Sequence, residues 1–214
     1  MTLRESVLNL LFPAKCPFCG RVEDRPGICP ACQAALPRVP EGEQEQTLSA
    51  GVRCASPLYY ENCARDGILR FKFHGASSAA EEFGPWIAAC AAQHFSGEFD
   101  VVTWVPVSAR RLRQRGYDQA QLLAQSACRV WDVQPEALLR KITDNPAQSG
   151  LQEASARRAN VLGVYTAERS RVAGRNVLVV DDIVTTGSTL RECARTLQEA
   201  GAAGIVCATL AQTR

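Results

Sequence analysis

From Val177 to Val180 four apolar residues follow one another, three of them β-branched. Such a run reads as a strand covered on both faces. Leu190, Cys193, Ala194 and Leu197 come next at helical spacing, with Gly201 placed to stop the helix. Ile205 to Leu210 predicts a closing strand. The same alternation runs upstream. Val52 to Tyr60 reads as strand, and Asn62 can cap a helix towards Phe73. Glu81 to Ala92 reads as a helix whose start falls near Pro85. Val101 to Val105 reads as a buried strand, and Leu122, Leu123, Ala127 and Val130 mark a further helix. Strands alternating with helices predict an α/β domain with a largely parallel sheet. Leu3, Val7, Leu10 and Leu11 predict a short amphipathic helix over residues 2–11, stopped by Pro13.

The pattern breaks between Pro37 and Ala50, where Pro, Glu, Gln and Gly replace apolar residues. The chain is therefore expected to divide into an N-terminal module (residues 1–36), a linker (37–50) and an α/β domain (51–214). Length and composition agree with a medium domain plus a small appendage: 214 residues, 46% hydrophobic and 21% charged. A net charge of +2 does not by itself imply nucleic-acid binding, so local clusters of Arg matter more. Residues Val7 to Phe12 are too short a run, and Lys15 too poor a flank, for a signal peptide. No stretch approaches the roughly 20 apolar residues of a membrane helix. A cytoplasmic protein is expected.

Chemistry concentrates where the strand from Val177 runs out. Asp181 and Asp182 precede Thr185-Thr186-Gly187-Ser188-Thr189, a loop of small hydroxylated residues leading into a helix. In open α/β sheets ligands bind at this end of the strands. Hydroxyls, backbone N–H groups and the helix N-terminus can together hold a phosphate without a Lys. Lys is missing from the loop, so it is neither a GxxxxGK[ST] loop nor a GxGxxG turn. Two carboxylates beside the cradle would repel a bare anion but suit a ligand with hydroxyls next to its phosphate, as in ribose 5-phosphate. The alternative is an acidic strand end that only caps a helix. The segment resembles the phosphoribosyl-pyrophosphate (PRPP) motif of type I phosphoribosyltransferases. That resemblance implies that Asp181 and Asp182 bind ribose hydroxyls and form the catalytic pair. It also implies that Thr185, Thr186, Gly187, Ser188 and Thr189 hold the 5-phosphate and that Mg²⁺ accompanies PRPP.

A second cluster follows the strand at Val101. Ser108 opens a segment in which Arg110, Arg111, Arg113 and Arg115 fall within six residues, with no acid before Asp118. Arginine forks suit phosphate oxygens, so this loop is a candidate for pyrophosphate or a nucleic-acid backbone; a solvated basic loop or helix start is the alternative. VPVSARRLRQRGYDQAQLLA resembles a segment of the ComF family, bacterial phosphoribosyltransferase-like proteins linked to natural competence and DNA utilisation. Phe71-Lys72-Phe73, Gln148 with Leu151, and Arg157 with Asn160 match the same pattern. Asp118 departs from it, since the family usually has Asn there.

Cysteine usage sorts the rest. Cys16 and Cys19, then nine residues, then Cys29 and Cys32 make two CxxC knuckles. Four thiolates at this spacing suit a closed, structural zinc site, the alternatives being an iron–sulfur cluster or a pair of disulfides. The ComF resemblance also implies an N-terminal cysteine ribbon. Cys54, Cys63, Cys90, Cys128, Cys193 and Cys207 lie in apolar stretches and read as small buried hydrophobes. His74 and His94 read as surface or core residues, and Lys72 as a weak candidate for a phosphate contact. Three functions remain open. One is a phosphoribosyltransferase acting on an acceptor no motif specifies. Another is a PRPP-binding protein handling single-stranded DNA alongside competence machinery, and the last is an adaptor whose site has lost turnover.

Overall fold

The computed structural model describes residues 13–143 and 163–214. The helix expected over residues 2–11, and Gln148, Leu151, Arg157 and Asn160, lie outside them. Along the chain run α1 (Pro30–Ala35), β1 (Glu45–Thr47), β2 (Arg53–Ala55), β3 (Leu58–Tyr59), α2 (Asn62–Phe73) and α3 (Ala80–Phe95). They are followed by β4 (Val101–Trp104), α4 (Ala109–Arg115), α5 (Gln119–Val130), β5 (Leu139–Lys141) and β6 (Tyr165–Ala167). The chain closes with α6 (Arg169–Val172), β7 (Asn176–Val184), α7 (Ser188–Glu199) and β8 (Gly204–Gln212).

β7 is the spine. It pairs in parallel with β4 on one side and β8 on the other, and the sheet continues to β2 and β1. From Val177 to Val180 its residues alternate between faces, as the period of two requires. Leu178 and Val180 pack in the cluster under α2, α3 and α5, whereas Val177 and Val179 join Leu190 and Leu197 of α7 on the other face. Both faces being covered, the strand shows no polar alternation in sequence until Asp181.

Three local expectations change. The predicted strand from Val52 to Tyr60 is two short strands, β2 and β3, both lying along β8. Ser56-Pro57 separates them: Pro offers no N–H to a ladder, and Ser56 instead shares a 2.6 Å hydroxyl hydrogen bond with Thr209. The helix placed near Pro85 starts five residues earlier, at Ala80, with Pro85 on its exposed face. There the carbonyl of Glu81, which Pro85 cannot bond, is free to turn to water. The stretch read as a linker supplies β1, antiparallel to β2 and tied to it by Arg53 Nε donating to Glu45 Oε1 at 2.5 Å.

The N-terminal module is part of the main core. Phe18, between the first two cysteines, is 1% exposed, and its ring centroid lies 5.2 Å from that of Phe83. Gly67 of α2 makes room for it: a Cβ there would come within 2.9 Å of the Phe18 Cα. Of the six scattered cysteines, five are buried and Cys63 is half-buried.

Candidate functional site

Asp181 and Asp182 are not at the end of β7 but inside it, since the strand runs on to Val184. Consecutive strand residues face opposite ways, so the pair is divided. Asp182 lies on the face of α2, where Lys72 Nζ is 2.9 Å from its Oδ1. Asp181 lies on the face of α7, in the electrostatic neighbourhood of Cys193 and Tyr165. The Asp182 backbone N–H donates to Asp181 Oδ1 at 2.8 Å. Burial first, and then the adjacent Asp182 charge, push the Asp181 carboxyl well above the usual carboxylate range. On the other face the Lys72 ammonium sits against the Asp182 carboxylate.

The loop follows directly. Gly187 sits at φ +69°, a left-handed conformation that favours Gly, and the Leu48 side chain closes over it, 2.9 Å from where a Cβ would stand. Thr185 and Thr186 are exposed. Thr186 Oγ1 and Ser188 Oγ share a 2.8 Å hydrogen bond, and the Ser188 amide points to Thr186 Oγ1 at 3.4 Å. Ser188 and Thr189 form the first turn of α7, whose leading N–H groups have no helical acceptors. Arg191 Nη2 donates to Ser188 Oγ at 3.0 Å and brings to the loop a cation that the sequence reading missed. Its position one turn into the helix was the available signal.

The arginine segment is a helix, not a loop. Ser108 is buried and caps α4, its Oγ accepting the Arg111 amide at 3.3 Å, and Gly116 ends the helix at φ +82°. Winding the segment separates its arginines: Arg110 and Arg113 are exposed, Arg111 and Arg115 half-buried. Arg115 turns inward, with its guanidinium 4.8 Å from the Phe73 ring centroid and Nη1 donating to Gln119 Oε1 at 2.9 Å. Burial, and next the Arg111 charge, lower the Arg115 pKa; Asp182 acts in the opposite sense. Gln119 is 1% exposed, and its Nε2 has no hydrogen-bond partner among the described residues.

Asp118 has a definite job. It is buried and caps α5: Oδ1 accepts the Gln121 amide at 3.2 Å while Oδ2 accepts the Val107 amide at 2.9 Å. It thus ties the start of α5 to the segment leaving β4. Burial raises its pKa against those amide hydrogen bonds. Asn has only one oxygen, so Asp118→Asn leaves one amide facing an NH₂ group. The substitution is expected to cost about 1–2 kcal/mol, measured by urea unfolding.

The four knuckle cysteines come together, with their Sγ atoms all within 4.8 Å of one another. The Cys19 and Cys29 sulfurs are 3.6 Å apart, and the Cys29 amide faces Cys16 Sγ at 3.4 Å. Zinc–thiolate bonds of about 2.3 Å in a tetrahedron put sulfurs roughly 3.8 Å apart, so the cage fits zinc. Every ligand is a cysteine and three are buried, which leaves no open coordination position and makes the site structural.

A largely parallel sheet with an acidic pair inside its central strand, a Thr-Thr-Gly turn opening a helix and a flanking arginine helix defines a domain of phosphoribosyltransferase type. The Phosphoribosyl transferase domain family matches residues 112–214, and the Double zinc ribbon domain family matches residues 7–66. DNA utilization protein YhgH of Salmonella typhimurium is 30% identical over 91% of this chain and 90% of its own length. Competence protein ComFC of Bacillus subtilis is 27% identical over 89% of this chain and 74% of its own. The chain belongs to the ComF family. Among solved structures, glutamine PRPP amidotransferase from B. subtilis aligns at 27% identity and a TM-score of 0.41, over 61% of this chain and 26% of that larger one. No helix among the described residues is long and apolar enough to cross a membrane.

Proposed function

We propose that the chain binds PRPP, with Mg²⁺ accompanying the pyrophosphate, in the cytoplasm. The carrying observation is the succession along one strand and helix of the Asp181–Asp182 pair, with Lys72 on Asp182, and then the Thr185–Thr189 turn at the start of α7. Hydroxyls of the ribose would meet the carboxyl groups, and the 5-phosphate would meet the loop hydroxyls, the free amides of α7 and Arg191. Arg111 and Arg115, the half-buried members of α4, are the cations suited to the pyrophosphate. Calorimetric titration of the protein with PRPP and Mg²⁺ tests this: saturable binding is expected, and its absence sinks the ligand assignment. Screening bases and base analogues for pyrophosphate release then separates a transferase from a binding protein.

A second reading is favoured by the outward side of α4. Arg110 and Arg113 are exposed there, and relatives carry names of DNA utilization and competence. We propose that this face contacts the backbone of single-stranded DNA, in company with competence machinery. Each lost phosphate contact flattens the logarithmic salt dependence by about 0.7. Arg110→Ala/Arg113→Ala should therefore reduce the slope for an oligonucleotide by between one and two such contacts. An unaltered slope removes α4 from the interface.

A further inference from the structure

Three consecutive residues at the end of α2 reach three different parts of the site. The Tyr117 hydroxyl donates to the Phe71 carbonyl, Lys72 pairs with Asp182, and the Arg115 guanidinium covers the Phe73 ring. The end of α2 therefore links β7 to the end of α4 and to the α4–α5 connection. Lys72 is half-buried, its side chain 21% exposed against 11% for Asp182. Burial alone would disfavour the Lys72 ammonium, but the Asp182 charge and hydrogen bond outweigh it and raise its pKa.

A half-buried Lys that meets one carboxylate of the acidic pair has two possible employments: it can contact an anionic ligand, or it can serve that carboxylate. The geometry favours the second, because the ammonium lies 2.9 Å from a carboxylate oxygen of Asp182. We propose that Lys72 is a positioning residue that acts through Asp182. It anchors one carboxylate oxygen so that the other can accept a sugar hydroxyl. The inference rests on the PRPP reading and specifies which part of the ligand Lys72 governs: the ribose hydroxyls, not the 5-phosphate.

Three probes separate these parts: PRPP with Mg²⁺, ribose 5-phosphate, and inorganic phosphate. Each is titrated by calorimetry into wild type, Lys72→Met, Lys72→Arg, Asp182→Asn and the Lys72→Met/Asp182→Asn double variant. Lys72→Met is expected to weaken both sugar phosphates at least ten-fold and to leave inorganic phosphate within two-fold of wild type. Lys72→Arg should recover part of the loss. Because the two residues act as a unit, the double variant should bind no more weakly than the poorer single variant. It also removes the buried charge pair as a whole, so it remains informative if Lys72→Met fails to fold. Loss of inorganic phosphate in parallel with the sugars means direct phosphate contact and overturns the inference, as does strict additivity in the double variant. Wild-type affinity for sugar phosphates in Lys72→Met overturns the inference alone. A wild-type chain that binds none of the sugar phosphates overturns the PRPP reading and the inference with it.

Discussion

Phe18→Ala is expected to destabilise the whole chain by about 3–5 kcal/mol, the usual cost of emptying a buried aromatic site. The side chain belongs to the zinc ribbon by sequence and to the main core by contact. It sits between Cys16 and Cys19, packs on Phe83 at 5.2 Å between ring centroids, and Phe83 in turn meets Phe71 edge-on at 5.8 Å. Gly67 of α2 lies so close to the Phe18 backbone that the surroundings have little room to collapse into the void. For a chain of this size each kcal/mol moves the melting temperature by about 2–4 °C, so a drop of roughly 6–20 °C is expected. Stripping zinc with a chelator should act in the same direction, because the cage fixes the knuckle that presents Phe18. α2 carries the disturbance further, since Cys63 near its start donates to the Ala35 carbonyl and Lys72 near its end holds Asp182. PRPP affinity should therefore fall together with zinc content. A calorimetric scan in which the ribbon melts as a separate transition, leaving the remainder unmoved, would show the two parts to be independent.

The parts of the fold legible in sequence are those whose stability is local or whose pattern is strong. α2 ends at Phe73 as expected, but Asn62 is its first residue and Glu61 takes the cap position without a side-chain cap bond; Gly201 follows α7 as a stop. The arginine segment was read through its charge, which hid an ordinary pair of helix boundaries, Ser108 before it and Gly116 after it. β1 could not be read from its own residues, because Glu45-Gln46-Thr47 is polar and is held in the sheet by β2 and the Arg53 ion pair. The candidate site divides in the same way. The Thr185–Thr189 turn and the cysteine cage are contiguous in sequence, so their residue types and spacing are visible there. Arg191, Gln119 and the Lys72–Asp182 pair depend on which helix face or strand face meets which neighbour, and that is a tertiary fact. The division of the acidic pair between two faces was nevertheless implicit in the strand period, once β7 is known to extend through both residues.

That division predicts unequal consequences for two changes that look alike. Asp182→Asn removes the charge that holds Lys72 and reduces the acceptor capacity proposed to meet the ribose. PRPP affinity is expected to fall at least 100-fold, which at 1.4 kcal/mol per decade is about 2.8 kcal/mol. Some stability should go with it, because Lys72 loses its partner while remaining largely shielded from water. Asp181→Asn should be far milder near neutral pH. Burial already favours the protonated Asp181 acid, and an amide is close to it in shape and charge. The difference should shrink as pH rises. In the wild type, ionisation of Asp181 adds a negative charge beside the ligand phosphate, so PRPP affinity declines as pH passes through the raised pKa; in Asp181→Asn that decline is absent. Folding carries the same signature with a definite sign. An acid whose folded-state pKa is raised binds more protons folded than unfolded, so it costs stability as pH climbs above the unfolded value of about 4. Asp181→Asn should therefore flatten the fall in unfolding free energy towards alkaline pH. Calorimetric titrations and urea unfolding at matched pH values read both effects. Equal losses of affinity for the two variants across the whole pH range would mean that the acidic pair acts as two equivalent carboxylates, contrary to its placement on opposite faces of β7.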